Sequence, residues 1–193
     1  MQKGLRIMEN KQHRVFIYAF LSRIFTDVLD KQFIQDLSQN EDMLNLIGNE
    51  TKKWFDFTDL EKIEEELNID FSSMFLLHTQ PIESFVLDAK HEVLVGLQNP
   101  VMSFYFQNGF EIDMNQTQII APDHLGIELG FMQTAVFRDE VKSQKEFLEQ
   151  HILKWVIPYL LGMKSMAHTP FYKEIFDFTV EFLTSDYDNL VGV

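Results

Sequence analysis

The sequence predicts an all-α fold, a single compact domain of about eight to ten helices similar in size to one ordinary globular unit. Three observations carry this: apolar residues recurring at three- and four-residue intervals, helix start and stop signals between those runs, and the absence of any repeat or low-complexity tract. Over residues 14–25, Val15, Phe16, Ile17, Phe20, Leu21, Ile24 and Phe25 form a broad buried stripe. Residues 31–37 and 42–47 read as brief amphipathic helices, and Gly48 stands where a helix would end. Thr58-Asp59-Leu60-Glu61 reads as a capping box with Thr58 as the cap, followed by the face Leu60, Ile63, Leu67. Asp70 is expected to cap a short turn carrying Phe71, Met74 and Phe75, and Pro81 to break the chain into a loop or hinge at 77–82.

Helical spacing returns over 83–97, Pro100 can open a further helix and Gly109 can close it. Residues 110–121 are the least periodic and read as a long connection, a second hinge between helical halves. Pro122 then stands at a first helical position, with Leu125, Leu129, Met132 and Val136 on one face. Gly126 and Gly130 lie one turn apart, and glycine weakens a helix, so another backbone is expected to come close there. A helix over 143–156 bends or restarts at Pro158, and Thr169-Pro170 begins a last helix lined by Phe171, Ile175, Phe178 and Phe182. The expected organisation is one helical domain over 1–193.

Composition narrows the function. Hydrophobic residues make up 46% and the chain has 19 Phe, ample to build a core. Cysteine is absent, which removes disulfides, thiolate nucleophiles and thiolate metal sites, and fits a cytoplasmic protein. After Lys3 and Arg6 the chain becomes polar, so no secretory signal is expected, and the apolar stretch at 155–163 is too short for a membrane span. The net charge is −14, and protonating every histidine would leave −8, which argues against nucleic-acid binding. Acidic residues keep a Phe-rich surface soluble, and they also steer cationic peptides.

The most informative run is Ala121-Pro122-Asp123-His124-Leu125-Gly126-Ile127-Glu128-Leu129. His124 and Glu128 are one turn apart, and Asp123 is expected in the first turn, where the helix dipole favours negative charge. Three readings stay open: a latch that presents a carboxylate to a basic ligand, a purely structural pair, or a metal site supporting a helical metal-dependent hydrolase through His124 and Glu128. No di-iron Glu-x-x-His pattern, nucleophile elbow, Walker loop, dinucleotide fingerprint or His-Glu-x-x-His motif occurs, so no catalytic residue, metal or cofactor is assigned. Phe147, His151 and Trp155 fall along one helix face ahead of Pro158 and read as core with a hydrogen-bonded histidine. Pro81-Ile82-Glu83-Ser84 reads as a helix start.

Taken in order, Pro81-Ile82-Glu83-Ser84, Pro122-Asp123-His124 with Glu128-Leu129, and His151 with Trp155 and Pro158 resemble the motifs of the TorD/DmsD family of redox-enzyme maturation chaperones. The resemblance covers residues 71–183; Ala121 stands where relatives often carry Glu or Gln, and the N-terminal third matches only in helical character. It implies a helical cytoplasmic chaperone, not an enzyme, that binds the precursor of a molybdopterin-containing oxidoreductase of the formate dehydrogenase or sulfoxide/N-oxide reductase type. It also implies contact with the twin-arginine signal peptide, with a chaperone that binds only the enzyme body as the neighbouring alternative. By resemblance Asp123, His124 and Glu128 belong to that site, joined by Glu83 and Ser84, while Leu125, Phe131 and Met132 either meet the peptide's apolar stretch or stay in the core. Monomer and homodimer both remain open.

Overall fold

The structure is a computed structural model that describes residues 11–112 and 121–192. It is all-α: among the described residues no strand forms, and the one extended pairing is an antiparallel bridge between Ile82 and His124. In chain order the helices are α1 (Lys11–Thr26), α2 (Lys31–Ser38), α3 (Glu41–Ile47), α4 (Asn49–Phe57), α5 (Leu60–Phe71), α6 (Glu83–Leu87), α7 (Pro100–Gln107), α8 (Leu125–Phe137), α9 (Val141–Phe147), α10 (Leu153–Met163) and α11 (Pro170–Val191). A π-helical turn, Ser72–His78, continues α5, and another, Leu148–Ile152, joins α9 to α10. Residues 113–120, most of the second expected hinge, lie outside the described residues.

The chain gathers into two compact units. Among the described residues, one combines those up to Thr26, those within 81–157 and those from Leu183 onward. Its centre is α1 against α8. A Cβ on Gly126 would meet the Thr26 hydroxyl at 2.2 Å and the Thr26 Cα at 3.2 Å, which is the close backbone approach the paired glycines predict. The Ser22 hydroxyl donates to the Gly126 carbonyl at 2.6 Å in the gap so created. Asp186, fully buried, accepts from Arg14 at 2.5 and 3.0 Å and from the Tyr18 hydroxyl at 2.7 Å, tying the end of α11 to α1. An aromatic cluster of Phe104, Tyr105, Phe110, Phe131 and Phe147 fills this unit, with Phe131 and Phe147 centroids 4.5 Å apart. Such pairs add order-of-1 kcal/mol each beyond burial.

The other unit combines Asp27–Gln80 with Pro158–Phe182. Asp30 and Asn40 cap α2 and α3 by accepting from Phe33 N and Met43 N. Glu174 of α11 caps α4 from outside, accepting from Glu50 N at 3.2 Å and Thr51 N at 2.7 Å, and it occupies the space a Cβ on Gly48 would need. Phe75 sits within 6.1 Å of Tyr172 and Phe176, so the π turn adds its apolar residues to the same core.

Several boundaries differ from the sequence expectation. The cap of α5 is Asp59, whose carbonyl takes the first helical bond from Ile63 N, so Thr58 lies one residue outside the helix. Asp70 ends α5 without capping the turn after it; its carboxylate instead receives His168 N, Thr169 N and the Thr169 hydroxyl, at the start of α11. The helix expected over 83–97 stops at Leu87, because Asp88 accepts from Lys90 N at 2.8 Å and Glu92 N at 3.1 Å and His91 adopts a left-handed φ of 55°. Backbone hydrogen bonding also lowers the Asp88 carboxyl below its ordinary range. Finally, α8 begins at Leu125 and not at Pro122, since the preceding residues are engaged with the chain at Ile82.

Candidate functional site

The site begins where two non-helical turns meet. Leu125 N donates to Pro81 O at 2.8 Å and Glu83 N to Asp123 O at 2.9 Å, closing the bridge between Ile82 and His124. Proline favours extended backbone in the residue before it and cannot itself extend a helix, which suits Pro81 and Pro122 to these turns. Asp123 is therefore absent from the first turn of α8, where its charge was expected to meet the dipole. Its Oδ2 accepts from Ser84 N at 2.8 Å, so it caps α6 across the bridge, and the Ser84 hydroxyl accepts from Leu94 N at 3.0 Å. His124 caps α8 itself, its Nδ1 accepting from Gly126 N at 3.1 Å. Burial pushes the His124 imidazole down to about 4, so at neutral pH it is uncharged with its proton on Nε2.

One turn into α8, Glu128 is fully buried and accepts from Trp155 Nε1 at 3.2 Å. Both Glu83 oxygens lie 3.1 Å from His151 Nδ1, which must carry the proton because a carboxylate only accepts. His151 is in the π turn, where the added residue shifts the helix face and lets Phe147, His151 and Trp155 all turn inward. Its ring packs on Phe147 and Phe104, with centroids 5.0 and 5.7 Å away. The three motif runs of the sequence thus converge: Glu83 with His151, Asp123 with Ser84, Glu128 with Trp155.

Electrostatically the cluster holds more acid than base. Burial pushes Glu128 well above the usual carboxylate range, the neighbouring Glu83 carboxylate adds to this by its charge and as a hydrogen-bond acceptor, and Asp123 adds further, against the opposing Trp155 bond. Burial and the acidic neighbours thereby favour the neutral form of Glu128. Burial, and then the three carboxyl groups, likewise raise the Tyr105 phenol. Asp123 Oδ1, Glu128 Oε1 and the Tyr105 hydroxyl have no geometric hydrogen-bond partner; the Glu128 proton has the Glu83 carboxylate to point at. Among the described residues no lysine or arginine pairs with any of the three acids. A cavity of about 380 Å³ opens beside the Glu83–His151 pair, walled by Phe104, Ser103, Gln107 and Lys154.

Every residue the sequence assigned to the site is buried. Glu83, Ser84 and His124 are each about 9% exposed and Asp123 and Glu128 less, while Leu125, Phe131 and Met132 belong to the core of this unit. His124 and Glu128 take different partners and do not act as a pair. Among the described residues no group of three or more acids and histidines is arranged to hold a metal ion. His151, Trp155 and Tyr105 were not assigned from sequence. The four-residue spacing of Phe147, His151 and Trp155 was the available signal for the first two; Tyr105 had none.

Comparison with known proteins points to the family that the motifs resemble. The family model for the nitrate reductase delta subunit matches residues 30–159. The chain is 21% identical to Chaperone protein TorD of Histophilus somni over 192 residues, covering 90% of this chain and 96% of that one. It is 24% identical to Chaperone protein TorD of Shewanella pealeana over 198 residues, covering 91% and 88% respectively. No solved structure matches significantly. The chain belongs to the nitrate reductase delta subunit family, within which it is a chaperone of the TorD/DmsD kind and not an enzyme.

Proposed function

We propose that this chaperone acts in the cytoplasm on the precursor of a molybdopterin-containing oxidoreductase, grips its twin-arginine signal peptide, and assists cofactor insertion and export proofreading. The observation that carries the reading is the convergence of the three motif runs on one acid-rich cluster that no lysine or arginine among the described residues pairs with. A twin-arginine peptide supplies guanidinium groups and an apolar segment, and an anionic helical protein meets the first of these by charge. Asp123, His124, Glu128, Glu83 and Ser84 form the frame of the site, and Leu125, Phe131 and Met132 hold that frame against the core.

Calorimetry with a synthetic signal peptide, together with capture of full-length and signal-deleted precursor, tests the reading. Binding with Kd on the order of micromolar or tighter is expected, weakening as salt rises. Replacing both arginines by glutamine should weaken it strongly. Equal capture of the signal-deleted precursor, with no binding of the isolated peptide, would place recognition on the enzyme body and end the signal-peptide reading.

A further inference from the structure

We propose that the cavity beside Glu83 and His151 is a pocket for one arginine side chain of the partner peptide, with the Glu83 carboxylate as its anchor and His151 as the group that yields it. The proposal rests on the signal-peptide reading and deepens it, by moving direct contact away from Asp123 and His124 to a part of the cluster that a cavity reaches.

Glu83 is buried over nine-tenths of its surface yet its side chain lines the cavity wall. Its two oxygens share a single N–H, both 3.1 Å from His151 Nδ1. With the neighbouring Glu128 acid as a second donor, the Glu83 carboxylate still has lone pairs to offer, and a guanidinium presents two parallel N–H groups matching its two oxygens. An ammonium offers no such fork. Nearby, Asp123 keeps its Oδ1 without a donor, and among the described residues no lysine or arginine pairs with it. A cation entering beside Glu83 meets an environment that already favours it.

The walls suit the rest of the side chain. Phe104 lines the cavity and packs on His151, giving a ring face on which a planar guanidinium can stack. Ser103, Gln107 and Gln150 line the same space and offer oxygen acceptors for the remaining N–H groups. The volume, about 380 Å³, is that of a small ligand site and accommodates an arginine side chain.

The test uses the full chain and a synthetic twin-arginine peptide whose arginines are replaced one at a time by citrulline, which keeps the shape and removes the charge. One of the two replacements should lower wild-type affinity by about tenfold or more. Glu83→Gln should lower it comparably and make that replacement immaterial. Gln107→Trp, at the exposed end of α7, should block the mouth with the same result, and it decides the matter alone if Glu83→Gln does not fold. Peptide binding that survives both variants unchanged, or that is indifferent to both citrulline replacements, overturns the pocket while leaving the signal-peptide reading standing. Failure of the wild type to bind the peptide at all overturns both.

Discussion

Two buried acidic sites in this protein use the same chemistry to opposite ends. In one unit the Asp70 carboxylate, 2% exposed, receives two backbone N–H groups, the Thr169 hydroxyl and a contact from His168 Nδ1. Its lone pairs are saturated, and the Thr169 hydroxyl it holds accepts in turn from Tyr172 N, so the carboxylate organises the start of α11. In the other unit Glu83, Asp123 and Glu128 are equally buried, but two of the three keep an oxygen without a donor and Glu128 is driven toward its neutral form. A saturated buried carboxylate stabilises a turn. An under-partnered cluster costs some stability, as the proposed partner site would.

Variants can break or sharpen that contrast. Asp70→Ala should have the largest effect, since it leaves Thr169 N–H, the Thr169 hydroxyl and His168 N–H without an acceptor; urea unfolding should show a loss of about 3 kcal/mol or more. If Asp70→Ala were neutral, saturation would not be what separates the two sites.

Acid titration of stability should come next. The folded His124 is depressed from 6.5 to about 4, so its contribution is complete above about 6.5 and is lost as the pH falls toward 4. The maximum loss is about 3 kcal/mol. His124→Asn keeps a cap acceptor for Gly126 N and should remove this slope in thermal melts between those pH values while leaving neutral-pH stability nearly intact.

Gly126→Ala forces a Cβ onto Thr26 and should destabilise by about 2 kcal/mol, read by chemical unfolding, because the α1–α8 contact must open. Gly130→Ala, whose nearest neighbour is the Ser22 hydroxyl at 3.6 Å, should be tolerated.

Below about pH 4.5 Glu128→Gln should match the wild type within about 1 kcal/mol, since glutamine reproduces the neutral acid's acceptor for Trp155 and a donor toward Glu83, and at neutral pH, where the unfolded wild type ionises, the variant should be the more stable of the two. The sign with pH is opposite to that of His124. A raised carboxyl contributes fully below 4.5 and loses that contribution as pH rises through its folded value, so the variant should flatten the alkaline side of the stability profile. A profile unchanged by the substitution would mean that Glu128 is ionised in the fold.

Much of the fold could be read from local pattern. The stripe of α1, the proline start of α7 and the Thr169-Pro170 start of α11 are set by apolar spacing and capping chemistry that act within a few residues. The glycine pair at 126 and 130 also announced a close contact, although not that Thr26 and Ser22 would supply it. Boundaries failed where a distant group claimed the local donor or acceptor. Asp70 was diverted to His168 and Thr169, and Asp123 to Ser84, because a carboxylate will satisfy whichever N–H the fold brings nearest. For the site, the motif order named Glu83, Ser84, Asp123, His124 and Glu128, while Tyr105 carried no sequence signal because its place depends only on what packs around it.

By itself the sequence determined the helical class, the lack of thiol chemistry, the acidic balance and the three short runs that carry the family likeness, since each follows from residue identity and spacing. Only tertiary structure decided that Glu83 meets His151 across 68 positions, that burial beside Trp155 raises the Glu128 carboxyl, and that a cavity opens beside the Glu83–His151 pair. Burial, relative charge and hydrogen-bond saturation belong to neighbours in space, and separation along the chain carries no record of them.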